Sequence, residues 1–347
     1  MESRPHNLSF ATGEPVKRRA ISLRGLVQVA IGVGALALVI YRADAGRLLE
    51  AIKATRLSLL PLAVIATVLV NWMMAYRWGL VLGVRGHHIK THRLFVYYLI
   101  GIFFMNFVPG GGVSGDVARL IYVDREVRDK AFVLSTLVYE RMVGLFTLLL
   151  IGFGATVAGR SHLPEGRVFY VGEAVLAVAF LASTMLMSDY LSSRLATLAR
   201  EIGKRVRLER IGAAVSRTLE AISELRRHKK MLAQTVIVSV MIRIVWGLAC
   251  FVVAQAMGLP LSLAVVIAFV SLVDLIRMLP ISVGGLGVRE WAVIVLFAEA
   301  GIGREQALMF SFLAFAPILL NAIAGGVLYI ARAGAPWAES AAREFGD

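Results

Sequence analysis

Two apolar runs, Leu94–Val108 and Leu261–Leu279, each stop at a proline followed by a cluster of glycines. The first break reads PGGGVSGD, Pro109 to Asp116, and the second reads PISVGGLG, Pro280 to Gly287. A helix does not run through such a stretch. Five other apolar runs continue for about 20 residues, the length that crosses a bilayer. They are Leu57–Trp78, Ala131–Ala158, Val168–Met187, Met231–Met257 and Ala307–Ile330. At membrane depth, irregular backbone is tolerated only where protein buries it or where it lines a wet cavity. The two breaks therefore predict a packed midplane or a cavity.

Composition supports the membrane setting. The chain is 58% hydrophobic and 17% charged, with a mean hydropathy of +0.75, against about 25% charged residues in a soluble domain. The net charge of +14 then reads as basic loops facing anionic lipid headgroups, and no nucleic-acid partner is expected. The single cysteine, Cys250, lies in an apolar run, and no Cys/His cluster suggests a metal. No cofactor is expected.

Gly110, Gly112 and Gly115 match the dinucleotide fingerprint G-x-G-x-x-G. That motif carries meaning only between a strand and a helix of a βαβ unit. Here an apolar membrane run precedes it, so a soluble nucleotide-binding enzyme is rejected.

Basic residues set the orientation. Segment 189–230 holds eleven, from Arg194 to Lys230, and by the positive-inside rule it is cytoplasmic. Its apolar stripes, Leu191, Leu195, Leu198 and Ile202, then Ile211, Val215, Leu219 and Ile222, fit helices on the leaflet or under the bundle equally well. A basic tail, 1–20, precedes a run Leu26–Tyr41. That run also fits a signal peptide with Ala43-Asp44-Ala45 as its cleavage site, but the long leading region and Arg42 favour a retained span. Both termini, including 336–347, are expected in the cytoplasm. Parity then requires the chain between 93 and 130 to enter and leave by one face, as a broken hairpin. The same count places a second hairpin between 257 and 307, from the other side. Units 57–158 and 231–330 thus share a plan of span, broken hairpin, span within a 21–335 membrane domain. Pro109 falls 52 residues after Leu57, and Pro280 falls 49 after Met231. This is the pattern of inverted repeats, which build a site near the midplane from discontinuous helices. The expected fold is all-α: a polytopic membrane protein with about six full spans and two broken or re-entrant hairpins.

Charges inside the spans mark the candidate site. Glu140, Arg141 and Arg243 lie well within apolar helices; Asp274 and Arg277 precede the second break at i,i+3. Asp116 and Arg119 open the first return helix, and Arg289 and Glu290 open the second. Even on a lenient scale a charge at the bilayer centre costs about 2.5–3.5 kcal/mol, so these groups must pair or meet water. One reading is structural pairing, Glu140 with Arg243 and Asp274 with Arg277. The other is a phosphate headgroup bound by guanidinium groups, favoured because arginines outnumber acids. Pro109, Gly111, Gly112, Gly115, Pro280, Gly284, Gly285 and Gly287 make the breaks, either as frames for that site or as close-packing positions. Asn71, Asn106 and Asn321 are weaker markers of helix stitching.

The segments NFVPGGGVSGDVARL (106–120), YERMVGL (139–145) and LPISVGGLGVREWAV (279–293) resemble the lysylphosphatidylglycerol synthase transmembrane region, a flippase-like family of the UPF0104 type. The resemblance covers about residues 20–335. The family's P-G-G-L-G-x-x-E pattern is met by Pro280, Gly284, Gly285, Gly287 and Glu290, with Ile-Ser-Val inserted after the proline. Its G-(D/E)-x-x-R pattern is met by Gly115, Asp116 and Arg119. Bifunctional members carry a cytosolic aminoacyl-transferase domain; this chain ends at Asp347, so a stand-alone, non-enzymatic form is expected. The resemblance implies translocation of an anionic phospho- or polyprenyl lipid in a bacterial cytoplasmic (inner) membrane, with an oligomer allowed. The competing reading is a membrane-embedded enzyme, or an accessory subunit, in lipid or glycan modification.

Overall fold

A computed structural model describes residues 53–108, 112–160, 167–186, 224–225, 227–278 and 285–333. The expectations for the 1–20 tail, the 26–41 run, most of 189–230, the 336–347 tail, Pro109, Gly111, Pro280 and Gly284 lie outside these residues. Among the described residues the chain is helical and no strand occurs.

The helices are α1 (Leu60–Leu82), α2 (Thr91–Phe107), α3 (Gly112–Val127), α4 (Lys130–Ala158), α5 (Arg167–Leu186), α6 (Lys229–Ala256), α7 (Leu263–Arg277), α8 (Val288–Glu299) and α9 (Arg304–Ala333). Short 3₁₀ turns, Leu57–Leu59 and Gly83–Arg85, flank α1. With those turns, α1 joins α4, α6 and α9 as the four described helices long and apolar enough to cross a membrane. Each predicted run outside the masked residues corresponds to a helix, with ends shifted by a few residues.

Local chemistry explains the boundaries. Pro61 sits in the first turn of α1, where its missing N–H costs nothing. Asp129 caps α4, its Oδ1 accepting the Phe132 N–H at 3.0 Å. Ser262 caps α7 by accepting from the Val265 N–H at 3.4 Å.

α1 shows how the bundle is turned inside out. Leu62, Ile65, Leu69, Trp72 and Tyr76 are exposed, whereas Thr67, Asn71, Arg77 and Trp78 are buried. Lipid is as apolar as leucine, so the polar side chains turn inward to find partners.

The helix contacts come in exchange-related pairs. α1 packs on α6; α2 packs on α9 as α4 packs on α7; α2 meets α3 as α7 meets α8. The contacts of α3 with α4 and of α1 with α2 are likewise matched by α8 with α9 and α6 with α7. Swapping α1–α4 for α6–α9 leaves this pattern unchanged, as a two-fold axis through the α1–α6 contact requires. α5 lies outside the two units, against α4 and α8.

Hairpin arms of 17 and 16 residues, α2 and α3, extend about 25 and 24 Å at 1.5 Å per residue. The arms α7 and α8, of 15 and 12 residues, extend about 22 and 18 Å. Each falls short of a hydrocarbon core of about 30 Å, the length expected of the arms of a broken hairpin.

The glycines of the two breaks do different work. A Cβ on Gly115 would stand 2.6 Å from the Gly101 carbonyl oxygen, so α2 and α3 touch backbone to backbone there. A Cβ on Gly112 would fall 2.6 Å from Arg141 Nη2. Close backbone packing therefore accounts for Gly115, whereas Gly112 leaves room for the Arg141 guanidinium. In the second break Gly285 and Gly287 both have φ of +78°, a left-handed backbone that side chains disfavour.

Candidate functional site

Between the two units lies a cavity of about 610 Å³. Its walls come from α1, α2, α3, α4, α6, α7 and α9, with Gly285 of the second break at its edge. Val70, Met74, Ile102, Met105, Leu145 and Leu148 supply apolar surface. Arg77, Arg119, Arg141, Arg243 and Arg277 border it, opposed by Asp116, Glu140 and Asp274. Five cations against three carboxylates leave a formal surplus of two positive charges on the described lining.

Glu140 is the hub on the first side. Its Oε1 accepts from Arg77 Nε at 3.2 Å and Arg77 Nη2 at 3.1 Å. Its Oε2 accepts from the Tyr98 hydroxyl at 2.7 Å and from Arg119 Nη1 at 3.1 Å. Arg77 Nη1 donates onward to Ser239 Oγ of α6 at 2.7 Å. Arg119 also pairs with Asp116, and its guanidinium carbon lies 4.3 Å from the Tyr98 ring centroid and 5.1 Å from that of Trp78. Asp116 Oδ2 accepts from Arg141 Nε at 2.8 Å. Arg141 Nη2 donates to the Gly112 carbonyl at 3.0 Å, the first residue of α3. The network thus runs from α6 through α1, α4 and α3 to the margin of the first break. Glu140, Arg77 and Arg119 are buried, and the Arg141 side chain is 43% exposed.

On the second side Asp274 is shared. Its Oδ2 accepts from Trp246 Nε1 at 3.1 Å and faces Arg243 Nη1 at 3.5 Å; its Oδ1 accepts from Arg277 Nη1 at 3.3 Å. Arg243 Nη2 reaches across to the Gly144 carbonyl of α4 at 3.1 Å. One carboxylate therefore serves two guanidinium groups.

Arg289 and Glu290 sit apart from this cavity. Glu290 Oε2 accepts the Gly287 N–H at 2.7 Å, capping α8, and its other oxygen pairs with Arg289. Arg289 Nε donates to Ser311 Oγ at 3.1 Å, and its guanidinium lies 3.8 Å over the Phe315 ring. Arg289 borders a second cavity of about 30 Å³.

The structure thus brings seven of the nine predicted polar residues to one cavity and places Arg289 and Glu290 behind it. The alternative pairing of Glu140 with Arg243 is corrected: Glu140 pairs with Arg77 and Arg119, and Arg243 pairs with Asp274. The Asp274–Arg277 pair is present. Sequence reasoning missed Arg77, Tyr98 and Trp246. Arg77 stands one residue before the end of the Leu57–Trp78 run, where a charge reads as interfacial; the helix continues to Leu82 and carries it inward. Asn71 lines the cavity, and Asn321 does stitch helices, donating to Thr67 Oγ1 of α1 at 3.2 Å. Asn106 donates to the Ile102 carbonyl of its own helix at 2.8 Å.

Comparison with known proteins finds membrane-protein relatives. The chain is 21% identical to a UPF0104 membrane protein of Methanothermobacter thermautotrophicus over 80% of its length and 86% of the relative's. It is 22% identical to a UPF0104 membrane protein of Pyrococcus horikoshii, over 87% of this chain and 95% of that one. A further UPF0104 membrane protein, of Methanocaldococcus jannaschii, is 26% identical over 41% of this chain and 42% of its own. No solved structure matches the chain. The model of the lysylphosphatidylglycerol synthase transmembrane region matches residues 25–325. With that match over most of the chain, and with four described helices long and apolar enough to span a bilayer, this is a multi-pass helical membrane protein of the lysylphosphatidylglycerol synthase transmembrane-region family.

Proposed function

We propose that the protein moves an anionic, phosphate-bearing lipid between the leaflets of the cytoplasmic membrane. The observation that carries this reading is the 610 Å³ cavity with its surplus of two cations beside apolar walls. That volume lies within the roughly 300–1,000 Å³ usual for small-molecule sites. A phosphate headgroup supplies the negative charge the lining lacks, and its acyl or polyprenyl chains suit the apolar side chains.

Arg141 and Arg243 are the side chains assigned to the headgroup. Arg141 is the more exposed of the two and shares Asp116 with Arg119; Arg243 shares Asp274 with Arg277. Bidentate guanidinium–phosphate contacts are strong because both hydrogen bonds are charge-assisted. Arg77, Arg119 and Glu140 hold the wall in shape, since their donors and acceptors are already matched.

Access alternates by rocking the α1–α4 unit against the α6–α9 unit about the α1–α6 contact. The eleven basic residues of segment 189–230 favour a cytoplasmic side for it by the positive-inside rule. On that orientation Arg85, Asp129 and Glu224 lie at the cytoplasmic surface.

Mass spectrometry of lipids that co-purify with the protein in gentle detergent tests the substrate class. Enrichment of a phosphate-bearing anionic lipid over the bulk membrane, lost in Arg141→Ala/Arg243→Ala, supports the reading. Bound lipid with the bulk composition in both proteins contradicts it.

A further inference from the structure

The small cavity behind the headgroup site is bordered by buried guanidinium donors that have no acceptor. It measures about 30 Å³ and is bordered by Arg277 and Arg289, by Ser311, and by apolar residues including Val293, Phe297 and Phe310. Arg289 is only 5% exposed. Its Nε donates to Ser311 and its Nη2 to Glu290, yet its Nη1 is buried without any partner. Arg277 Nε is buried and unpartnered as well, packed 3.1 Å from where a Cβ on Gly285 would stand. A buried donor left unpaired costs about 1–3 kcal/mol, more for a charged group, so each such group calls for an explanation.

The surrounding carboxylates do not answer these donors. The cavity's own lining holds two guanidinium groups, Arg277 and Arg289, and one carboxylate, Asp274, while Glu290 pairs with Arg289 from outside that lining. Both carboxylates are already engaged: Asp274 with Arg243, Trp246 and Arg277, Glu290 with Arg289 and the Gly287 N–H. Neither carboxylate reaches Arg289 Nη1 or Arg277 Nε, so two N–H donors of charged groups are left without an acceptor beside the cavity, which is expensive in an apolar interior.

Size selects the ligand. About 10–15 Å³ of such volume holds one water, so about 30 Å³ takes one monatomic anion with a water, and an esterified phosphate is excluded. We propose that this cavity binds a single halide ion of chloride size, held against Arg289 Nη1 with Arg277 as the second cation. The ion accepts from both unpartnered donors at the second broken hairpin, where α7 ends at Arg277 and α8 begins at Val288. This site adjoins the headgroup cavity, with Trp246, Asp274, Arg277 and Ile318 lining both, but it does not depend on the transport reading.

The test uses the purified full chain in detergent. Crystals grown in sodium bromide are expected to show an anomalous peak beside Arg289 Nη1. Chloride titrated against gluconate at constant ionic strength is expected to raise the unfolding temperature in a saturable way. Arg289→Lys keeps the charge beside Glu290 but loses Nη1, and is expected to raise the half-saturating chloride concentration at least tenfold. Absence of the bromide peak overturns the proposal, as does an identical chloride response in wild type and Arg289→Lys. If that variant fails to fold, the bromide peak in the wild-type protein decides the question alone.

Discussion

Arg77 holds Glu140 through both Nε and Nη2, at 3.2 and 3.1 Å, and joins two helices whose paired residues stand 63 positions apart. Glu140 simultaneously accepts from Arg119 and Tyr98, so this one carboxylate neutralises guanidinium groups from two helices. Replacing it by its neutral isostere leaves buried Arg77 without a carboxylate and Arg119 with only Asp116, which it shares with Arg141. Glu140→Gln is therefore expected to cost about 3–5 kcal/mol, the usual effect of breaking a buried ion pair. Chemical denaturation in detergent measures the loss. A double-mutant cycle with Arg77→Met should return a coupling free energy clearly above zero; additive losses would contradict the pairing.

The glycines at helix contacts give a graded series. A Cβ on Gly325 of α9 would fall 1.9 Å from the Leu99 carbonyl oxygen of α2, and backbone cannot yield as a flexible side chain does. Gly325→Ala is expected to destabilise by about 1–3 kcal/mol or more, the cost of overpacking. Gly154→Ala meets nothing within 4 Å and is expected to be neutral or to gain up to about 1 kcal/mol from helix propensity. Thermal unfolding of the two variants side by side checks the contrast.

At the end of the first span, Arg85 ties Asp129 at 3.0 Å to Glu224 at 2.6 Å. The hydrogen bond from Arg85 holds the Glu224 carboxyl below its ordinary value. Because the folded-state value is depressed, the tie contributes stability at pH above the ordinary carboxyl range. That contribution disappears as the pH falls through the lowered value. Both side chains are substantially exposed, so Glu224→Gln at neutral pH should cost no more than about 1 kcal/mol and less in high salt. Unfolding measured at neutral and acid pH in wild type and Glu224→Gln should converge in acid.

How far the sequence reveals this site depends on which residues are meant. The breaks between α2 and α3 and between α7 and α8 are legible because a proline followed by several glycines interrupts a helix, whereas α9 continues through the isolated Pro317, and a span interrupted in lipid must be compensated. Asp274–Arg277 is legible because i,i+3 neighbours share a helix face. The partners of Glu140 are not. Arg77, Tyr98 and Arg119 reach it from α1, α2 and α3, and no spacing along the chain encodes which of six arginines meets which of four acids. Arg77 was hidden by its place near the end of an apolar run, where lysine and arginine commonly reach for the interface. The packing role of Gly115 was open in the sequence and was decided only by the 2.6 Å approach to the Gly101 carbonyl.

Arg141 separates headgroup capture from folding. Its side chain is 43% exposed, and Asp116 keeps Arg119 when Arg141 is removed. Arg141→Ala is expected to fold with near-wild-type stability and to weaken apparent affinity for an anionic lipid about tenfold, equivalent to about 1.4 kcal/mol. Lipid titration with the reconstituted protein checks it.

Transfer between leaflets of proteoliposomes tests the central claim most directly. Protein is reconstituted with a fluorescent lipid bearing a phosphate monoester headgroup, and in parallel with a zwitterionic lipid of identical chains. Leaflet exchange is followed by quenching with membrane-impermeant dithionite. The account predicts protein-dependent exchange of the anionic lipid, faster than that of the zwitterionic one, and reduced at least tenfold in Arg141→Ala/Arg243→Ala. Exchange no faster than in protein-free vesicles, or equal in wild type and the double variant, would contradict it.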